Sequence, residues 1–379
     1  MLTAVYDQVV AALDARKLTR ARLQGTPQLV LGLGKVAAEM CPPELTSIAV
    51  LVVPRDAPDV PGARLLRGGH PLPDEGSLAA GEALLQTASS ARGEVLLLIS
   101  GGGSALAEAP RLGVDLPLLR TVNDLLLRSG ATIEEMNVIR SHISRLKGGG
   151  LAKALHAAGV RKARALVAVD VPIGGFPAVA SGPAVADPTT CEDARRLARK
   201  YGLPELPFTE TLKKGHAADF VVHEAICDLR SPAQEAARGG GYKVFLEAPV
   251  TGTVDEFAQV LAALPAGNYA ASGELTQKVP KDAPPGGRDQ HLALIMAQKL
   301  SGIPGAAFLA AGTDGRDGPT GAAGAHVTGE TWAEAQRRGL NPARALAEYD
   351  AGRILSALGA IVPSRHTGAH AGDLFVLRK

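Results

Sequence analysis

Val95-Leu96-Leu97-Leu98-Ile99-Ser100-Gly101-Gly102-Gly103-Ser104 joins an unbroken apolar run directly to three consecutive glycines. The run has the continuous hydrophobic character of a strand that is buried on both faces of a parallel sheet. Three glycines in a row are typical of a backbone that takes unusual dihedral angles or lets a ligand approach its amides. Because successive N–H groups at the end of a strand can bind an anion, we predict a phosphate-binding loop made of Ser100, Gly101, Gly102, Gly103 and Ser104.

The same alternation of apolar strand, glycine-marked turn and amphipathic helix continues through the first half of the chain. Strands are predicted at residues 28–33, 47–53, 94–99 and 163–169, and helices at residues 78–88, 115–128 and 151–158. Such alternation is typical of an α/β fold in which ligands bind at the carboxyl ends of parallel strands. We therefore expect an α/β protein with the glycine loop at the ligand-binding edge of its sheet.

A second strand–helix series follows a break in this pattern. The chain is proline-spaced over residues 202–208, after a predicted helix at 191–201, and strands and helices then resume at residues 242–246, 254–263, 288–300 and 306–311. We therefore predict two domains, 1–210 and 211–379, with the boundary near residues 202–218. The last segment, residues 373–377, is predicted as a strand that can pair with either sheet.

Composition narrows the class of protein. The formal net charge of +2 argues against broad electrostatic attraction to nucleic acid or to an acidic membrane. No apolar run approaches the roughly 20 residues that a membrane-spanning helix needs, and a signal-peptide pattern is absent from the N-terminus. Cys41, Cys191 and Cys227 show neither disulfide nor zinc-ligand spacing, which fits a reducing compartment. We expect a cytoplasmic protein that binds neither nucleic acid nor membrane.

A glycine-rich turn follows the first predicted strand. Gly32, Gly34 and Ala37 satisfy the dinucleotide fingerprint G-x-G-x-x-A. Lys35 does not suit that interpretation, because a lysine at a helix N-terminus is mildly disfavoured by the helix dipole unless an anion binds there. Three alternatives stay open: a phosphate or carboxylate site at Gly34 and Lys35, a dinucleotide site, and a plain strand–helix turn.

A basic helical segment ends in a second glycine cluster. Residues 137–147 carry cationic side chains at helical spacing, and Lys147-Gly148-Gly149-Gly150 completes the segment. Two interpretations fit this pattern equally: an anion site that involves Lys147, Gly148 and Gly149, or a solvated basic helix face. For His142, packing in the core is the simpler interpretation and a role as a base is the alternative.

Further positions carry side chains suited to phosphoryl or metal chemistry. Asp170 ends a predicted strand, where α/β enzymes present ligands or bases. Asp314 and Asp317 lie in a glycine-held loop, where they can bind Mg²⁺ or cap turns through Asx hydrogen bonds. Arg288 follows two glycines at a predicted helix start, and cations that converge on a phosphoryl group stabilise its transfer. The sequence has no Walker-A motif.

Taken in chain order, these motifs resemble those of the glycerate 2-kinase family. The C-terminal part of its members is called MOFRL, and the members are often labelled hydroxypyruvate reductase. The resemblance covers nearly the whole chain, and nine motifs in sequence make it specific. They are residues 32–35, 69–74, 100–106, 137–151, 180–183, 273–274, 286–288, 312–325, and 367–368 with 373–374.

The resemblance implies ATP- and Mg²⁺-dependent phosphorylation of D-glycerate at its 2-hydroxyl. It also implies a Rossmann-like N-terminal domain with a doubly wound parallel sheet and a second, smaller α/β domain. The family's catalytic lysine and arginine correspond to Lys35 and Arg288. The glycine loop would then hold the phosphates, Asp170 would take the hydroxyl proton or hold metal, and Asp314 and Asp317 would bind metal. The oligomeric state stays open, and a homodimer is the commonest symmetric assembly.

Several residues depart from the family pattern. In that pattern glycine and then acidic residues follow Asp170, asparagine and glutamate lie around Arg288, an aspartate follows Thr320, and asparagines precede the final aspartate of the motif at residues 369–373. The replacements are Ile173, Gly174, Gly175, Asp289, His291, Gly321 and His370. Fewer carboxylates weaken the expectation of metal coordination, and altered polar residues leave the exact hydroxy acid open. Two other functions are therefore kept as alternatives: an NAD(P)H-dependent hydroxypyruvate reductase, and a non-catalytic protein that binds a nucleotide or an organic acid.

Overall fold

The structure is a computed structural model that describes residues 2–171, 174–215, 219–280 and 282–379. Its strands are β1 (Leu29–Leu33), β2 (Ala49–Pro54), β3 (Arg64–Gly68), β4 (Glu94–Ile99), β5 (Lys162–Ala168), β6 (Val221–Cys227), β7 (Lys243–Val244), β8 (Asn268–Gly273), β9 (Ala307–Gly312), β10 (Ala322–Thr328), β11 (Ile361–Pro363) and β12 (Asp373–Arg378). Its helices are α1 (Leu2–Ala12), α2 (Ala15–Arg20), α3 (Ala37–Met40), α4 (Glu75–Ser89), α5 (Gly103–Leu106), α6 (Leu116–Arg128), α7 (Ile133–His142), α8 (Gly150–Ala157), α9 (Gly175–Ala178), α10 (Cys191–Lys200), α11 (Ser231–Gly240), α12 (Val254–Ala263), α13 (Arg288–Lys299), α14 (Thr331–Arg337), α15 (Pro342–Ala347) and α16 (Ala351–Ala357). Among the described residues, no helix is both long and apolar enough to cross a bilayer.

The chain forms two compact units. The lysine unit comprises Ala15–Ile226 and contains Lys35, and the arginine unit comprises residues 2–14 with Cys227–Lys379 and contains Arg288. This division differs from the predicted domains, 1–210 and 211–379, at both ends of the first domain. β6 extends the first sheet, which moves the boundary to Ile226. α1 packs against α11 and β9, so the start of the chain belongs to the arginine unit.

The sheet of the lysine unit has the strand order β3-β2-β1-β4-β5-β6, and the pairs from β3 to β5 are parallel. Every residue from Val95 to Ile99 in β4 is at most 5% exposed, so both faces of this strand are covered, as its continuous apolar sequence predicts. The strand order reverses between β1 and β4, and ligands of doubly wound sheets bind beyond the carboxyl ends of the strands at such a point. The predicted doubly wound sheet is confirmed.

The two edge strands of this sheet, β3 and β6, were not predicted from the sequence. β3 has arginine at two of its five positions, and β6 leaves Val222 59% exposed. An edge strand is covered on fewer sides than a central strand, so its sequence lacks the continuous apolar character that identified β1, β2, β4 and β5.

The sheet of the arginine unit is mixed, with the order β11-β10-β9-β12-β8-β7. The terminal strand β12 lies between β8 and β9 and is antiparallel to both, so the predicted strand at 373–377 pairs within this sheet. α13 packs against β9 and β10, and its residues from Asp289 to Ala297 are all buried. Because this helix is covered on all sides, the polar residues at its start lie inside the unit.

Candidate active site

The carboxyl ends of β1 and β4 place Lys35 beside the triglycine loop. The two strands are parallel and in register, so the turns that follow them leave the sheet side by side. The Lys35 N–H donates to the Gly101 carbonyl at 2.9 Å, and the Val36 N–H donates to Ser100 Oγ at 3.2 Å. The two glycine-rich turns, which are distant in sequence, therefore form one hydrogen-bonded structure.

Glycine is required at two positions of this structure. The angle φ is 137° at Gly34 and 79° at Gly102, both in the region that side chains disfavour. A Cβ at Gly34 would lie 2.2 Å from Ser100 Oγ, and a Cβ at Gly102 would lie 2.8 Å from Lys35 Cγ. The lysine side chain therefore lies directly across Gly102, in contact with the loop backbone.

Lys35 and Asp170 flank this loop. Within the described part of the lysine unit, no carboxylate forms an ion pair with the Lys35 ammonium. Asp170 follows β5, the strand next to β4, and a Cβ at Gly101 would lie 1.6 Å from its Oδ2. The Lys35 ammonium group lies on the Gly102 side of the loop and the Asp170 carboxylate lies on the Gly101 side. Such a site can hold an anion close to a proton acceptor.

The second glycine cluster has a different environment from the one expected of an anion site. The Lys147 side chain is 3% exposed and forms an ion pair with Glu108, which is 2% exposed. Ser144 Oγ donates to the other oxygen of Glu108 at 2.7 Å. The N–H groups of Gly148 and Gly149 donate to backbone carbonyls of the 181–182 turn, at 3.0 and 2.8 Å. In the contacts that the structure describes, Lys147, Gly148 and Gly149 therefore stabilise the lysine unit.

Ser181 connects the two glycine clusters. Its hydroxyl lies 2.8 Å from Ser104 Oγ and donates to Asn137 Oδ1 at 2.8 Å, while its carbonyl accepts from Gly148. Ala180 and Ser181 have φ angles of 52° and 58°, which are unfavourable for residues with a Cβ. The hydrogen bonds that join this turn to both loops could not be predicted, because they link residues that are distant in sequence.

Arg288 is held at the start of α13 by two carboxylates. Its Nε and one terminal nitrogen donate to the two oxygens of Asp373, at 2.8 and 3.2 Å, and the other terminal nitrogen donates to Glu274 at 3.2 Å. Burial alone would lower the pKa of Arg288, but Asp373 and the other nearby carboxylates raise it overall. The side chain is still 32% exposed, so this permanently charged group is fixed in direction and accessible.

A third carboxylate of this cluster has no hydrogen-bond donor among the described residues of the arginine unit. Asp289 is 1% exposed, and neither of its carboxylate oxygens has a hydrogen-bond partner in the described part of the arginine unit. Burial, and then the nearby Asp373 and Asp317 carboxylates, raise the pKa of Asp289 well above its usual range. Burial also raises the pKa of Asp373 to about 6, although Arg288 acts in the opposite direction. Burial and the neighbouring carboxylates therefore favour the protonated forms of Asp289 and Asp373 more than in a solvent-exposed carboxyl.

The predicted metal ligands Asp314 and Asp317 already serve as hydrogen-bond acceptors. Asp317 Oδ1 accepts from the Asp289 N–H at 3.1 Å, and its Oδ2 accepts from the N–H and the side-chain amide of Gln290, at 2.8 and 3.0 Å. Asp314 Oδ1 accepts from the Arg316 N–H at 2.9 Å, which is the geometry of an Asx turn. These hydrogen bonds are the ones that the helix- and turn-capping alternative predicts, and a magnesium site at this pair stays a prediction.

Most departures from the family pattern can be located. Gly174 and Gly175 have φ angles of 90° and 54° at the start of α9, while Ile173 lies outside the described residues. His291 stacks on Tyr349, with ring centroids 5.2 Å apart. A Cβ at Gly321 would meet nothing within 4 Å, so a carboxylate side chain has room there. His370 precedes β12, as does Gly372, whose carbonyl accepts from Thr313.

The chain matches two family models. Residues 1–212 match a domain of unknown function, DUF4147, and residues 268–373 match the MOFRL family. It is 32% identical to glycerate 2-kinase of Pyrococcus horikoshii, over 83% of this chain and 77% of that protein. It is 34% identical to D-glycerate 2-kinase of Thermotoga maritima, over 82% of this chain and 79% of that protein.

A solved structure extends the similarity to the whole fold. The crystal structure of glycerate kinase from Thermotoga maritima superimposes with a TM-score of 0.89 at 28% identity, over 99% of this chain and 97% of that chain. A putative hydroxypyruvate reductase of Agrobacterium vitis is 33% identical over 99% of this chain and 93% of that protein. The protein described here belongs to the glycerate 2-kinase family.

Proposed function

We propose that the protein is a glycerate 2-kinase, which transfers the γ-phosphoryl group of ATP to the 2-hydroxyl of D-glycerate. Membership of the family supports the reaction class, and two relatives named as glycerate 2-kinases support the position of transfer. The observation that carries the proposal is local. Lys35 lies across Gly102 without a carboxylate partner in the described part of its unit, at the edge where doubly wound sheets bind ligands.

In the proposed reaction, the glycine loop and Lys35 act on the phosphates of ATP. The loop allows a phosphate to approach the backbone closely because Gly101, Gly102 and Gly103 carry no side chains. The Lys35 ammonium neutralises negative charge on the β- and γ-phosphates. A cation that is already in position stabilises the charge of the transferring group without reorganisation.

Arg288 is proposed as the second cation on the transferring phosphoryl group. Its bidentate pairing with Asp373 fixes the plane of the guanidinium, and its accessible fraction leaves donors for an anionic oxygen. A cation of this kind contributes roughly 10³-fold or more in rate. The proposal gives Asp373 and Glu274 a positioning role, since they act through Arg288.

Asp170 is proposed as the acceptor of the hydroxyl proton. The new bond forms between the 2-oxygen of glycerate and the γ-phosphorus, the bond from that phosphorus to the bridging oxygen breaks, and ADP leaves with the electron pair. The hydroxyl proton passes to Asp170 and then to solvent. The position of the Asp170 carboxylate against Gly101 supports this role, because it lies next to the loop assigned to the phosphates.

Mg²⁺ belongs to the proposal as the ion that accompanies ATP, since Mg²⁺ in kinases is bound largely by substrate phosphates and water. It would supply charge neutralisation on those phosphates. We assign it no ligand from the chain, because the oxygens of Asp317 and one oxygen of Asp314 accept backbone hydrogen bonds. We also propose that the reaction takes place in the cytoplasm, since the three cysteines are free thiols, as in a reducing compartment.

Phosphorus NMR of the purified protein with ATP, Mg²⁺ and D-glycerate tests the proposal. The expected result is a new phosphomonoester signal that matches 2-phosphoglycerate, with stoichiometric loss of ATP. Lys35→Ala should abolish the signal at an unchanged melting temperature, and Lys153→Ala, an exposed lysine on α8, is the matched control. Intact ATP, together with oxidation of NADH in the presence of hydroxypyruvate, would support the reductase alternative instead.

A further inference from the structure

Three side chains of the lysine unit form a second polar cluster, away from the triglycine loop. His142 is the last residue of α7, Cys191 is the first residue of α10, and Glu210 lies in the segment that follows α10. One potential ligand atom of each residue lies within 4.8 Å of the other two. His142 and Cys191 are buried, and Glu210 is exposed.

The hydrogen bonds of His142 leave one ring nitrogen available. Nδ1 lies 2.8 Å from the Val138 carbonyl oxygen, which can only accept, so Nδ1 carries the proton. In the neutral ring, Nε2 is then a lone-pair donor. Nε2 is fully buried and has no hydrogen-bond partner among the residues that the structure describes. This arrangement is the one found in metal-binding histidines, whose other nitrogen donates to a carbonyl or carboxylate.

Backbone contacts fix the other two residues next to His142. The Cys191 N–H donates to Glu210 Oε1 at 2.9 Å, and the Thr209 N–H donates to the His142 carbonyl at 2.9 Å. Cys191 is a free thiol. The cluster therefore offers an imidazole nitrogen, a sulfur and a carboxylate oxygen from three different segments.

We propose that this cluster is a zinc site, with His142 Nε2, Cys191 Sγ and a carboxylate oxygen of Glu210 as ligands. Nitrogen, sulfur and oxygen donors together favour Zn²⁺ over Mg²⁺ or Ca²⁺, which prefer oxygen donors alone. On binding, the thiol S–H bond breaks, a Zn–S bond forms and the proton passes to solvent, with no change of oxidation state. Three protein ligands leave a fourth tetrahedral position for water.

Cationic side chains near the three ligands oppose the binding of Zn²⁺ and therefore limit its affinity. Lys213 forms an ion pair with Glu210 at 3.1 Å, and burial and then the Glu210 carboxylate raise the pKa of the Cys191 thiol, against the smaller effects of Arg195 and Lys213. The thiolate and the carboxylate supply two negative charges against Zn²⁺. Glu210 and Arg111 line a surface cavity of about 300 Å³, so the Glu210 end of the cluster is open to solvent.

A metal at this position would stabilise the lysine unit by joining α7, α10 and the 209–212 segment. Leu212 N–H donates to the Gly148 carbonyl at 3.0 Å, so the same segment continues to the second glycine cluster. The readouts of this inference are metal content and stability, which do not depend on the proposed kinase activity.

Cobalt titration of the full chain is the first experiment. The protein is freed of metal with a chelator, kept reduced with a phosphine, and titrated with Co²⁺ while absorption is followed. We expect one Co²⁺ per chain, a thiolate-to-cobalt charge-transfer band in the near ultraviolet, and the intense visible bands of tetrahedral cobalt. Zn²⁺ should displace Co²⁺ and raise the melting temperature.

Matched variants identify the ligands. Cys191→Ser should remove the charge-transfer band, and Cys41→Ser, which alters another buried cysteine of the same unit, should retain it. Glu210→Gln changes an exposed residue and should weaken binding by at least the roughly 10–100-fold that loss of an outer-shell partner costs. The Glu210→Gln variant still tests the site if Cys191→Ser fails to fold. Absence of saturable binding, unchanged affinity in Glu210→Gln, or a band that survives in Cys191→Ser would overturn the proposal.

Discussion

Replacing Lys147 separates a structural role from a nucleotide-binding role. In this structure Lys147 and Glu108 are 3% and 2% exposed and pair with each other. Lys147→Met would leave Glu108 buried without its cation, which costs about 3–5 kcal/mol. For a unit of this size, that loss corresponds to a fall in melting temperature of roughly 6–20 °C. Burial also lowers the pKa of Lys147, so its charge depends on Glu108.

A double variant provides the control. Lys147→Met with Glu108→Gln removes both charges together, and replacement of a whole buried pair is often close to neutral. The double variant should therefore recover most of the stability in urea unfolding, and the KM for ATP should remain close to that of the wild type in both proteins. If Lys147→Met instead keeps its melting temperature and loses ATP affinity, Lys147 binds the nucleotide and our interpretation of this pair is wrong.

The remaining predictions concern the two cations and their surroundings. Arg288→Lys should lower kcat roughly 10³-fold or more at a nearly unchanged KM, since it keeps the charge and loses bidentate geometry; steady-state kinetics measures this. Gly102→Ala should lower stability by about 1–2 kcal/mol, because φ is 79° there, and should also displace Lys35, so activity should fall further than stability. Asp289→Asn should stabilise the protein at pH 8 and much less at pH 5. The folded-state pKa of Asp289 is raised, so the wild type loses stability as pH rises above the unfolded value, and urea midpoints at both pH values measure the difference. A constant difference between the two pH values would contradict a buried, uncompensated carboxyl.

The central strands of the first sheet were predictable because burial on both faces leaves a continuous apolar sequence. The same signal is weak at the edges, which explains why β3 and β6 were missed. The assignment of α1 to the arginine unit could not be predicted either. Its key contact, the hydrogen bond from the Tyr6 hydroxyl to the Gly312 carbonyl at 2.8 Å, joins residues 306 positions apart. No local pattern in the sequence reports such a contact.

At the candidate active site, sequence motifs identified the positions but not the partners. Lys35 and Lys147 share one signature, a lysine next to glycines at the edge of a helix. In the structure a carboxylate 39 residues away reaches Lys147, and no described carboxylate of the lysine unit pairs with Lys35. The difference is decided by tertiary contacts, since a buried lysine requires a counter-charge whereas a half-exposed lysine does not.

Tertiary contacts also decide the roles of the acidic residues in the arginine unit. Asp314 and Asp317 have the composition of a magnesium site, yet backbone N–H groups at the start of α13 and in the adjacent turn use their oxygens. Asp289 has no such donors, although it is the more deeply buried carboxyl. Composition therefore identifies where charge accumulates, and the donors within reach decide whether that charge supports the fold or is left for a ligand. By this criterion Lys35 is the strongest candidate for contact with substrate, because its charge is uncompensated within its own unit at the edge where the fold binds ligands.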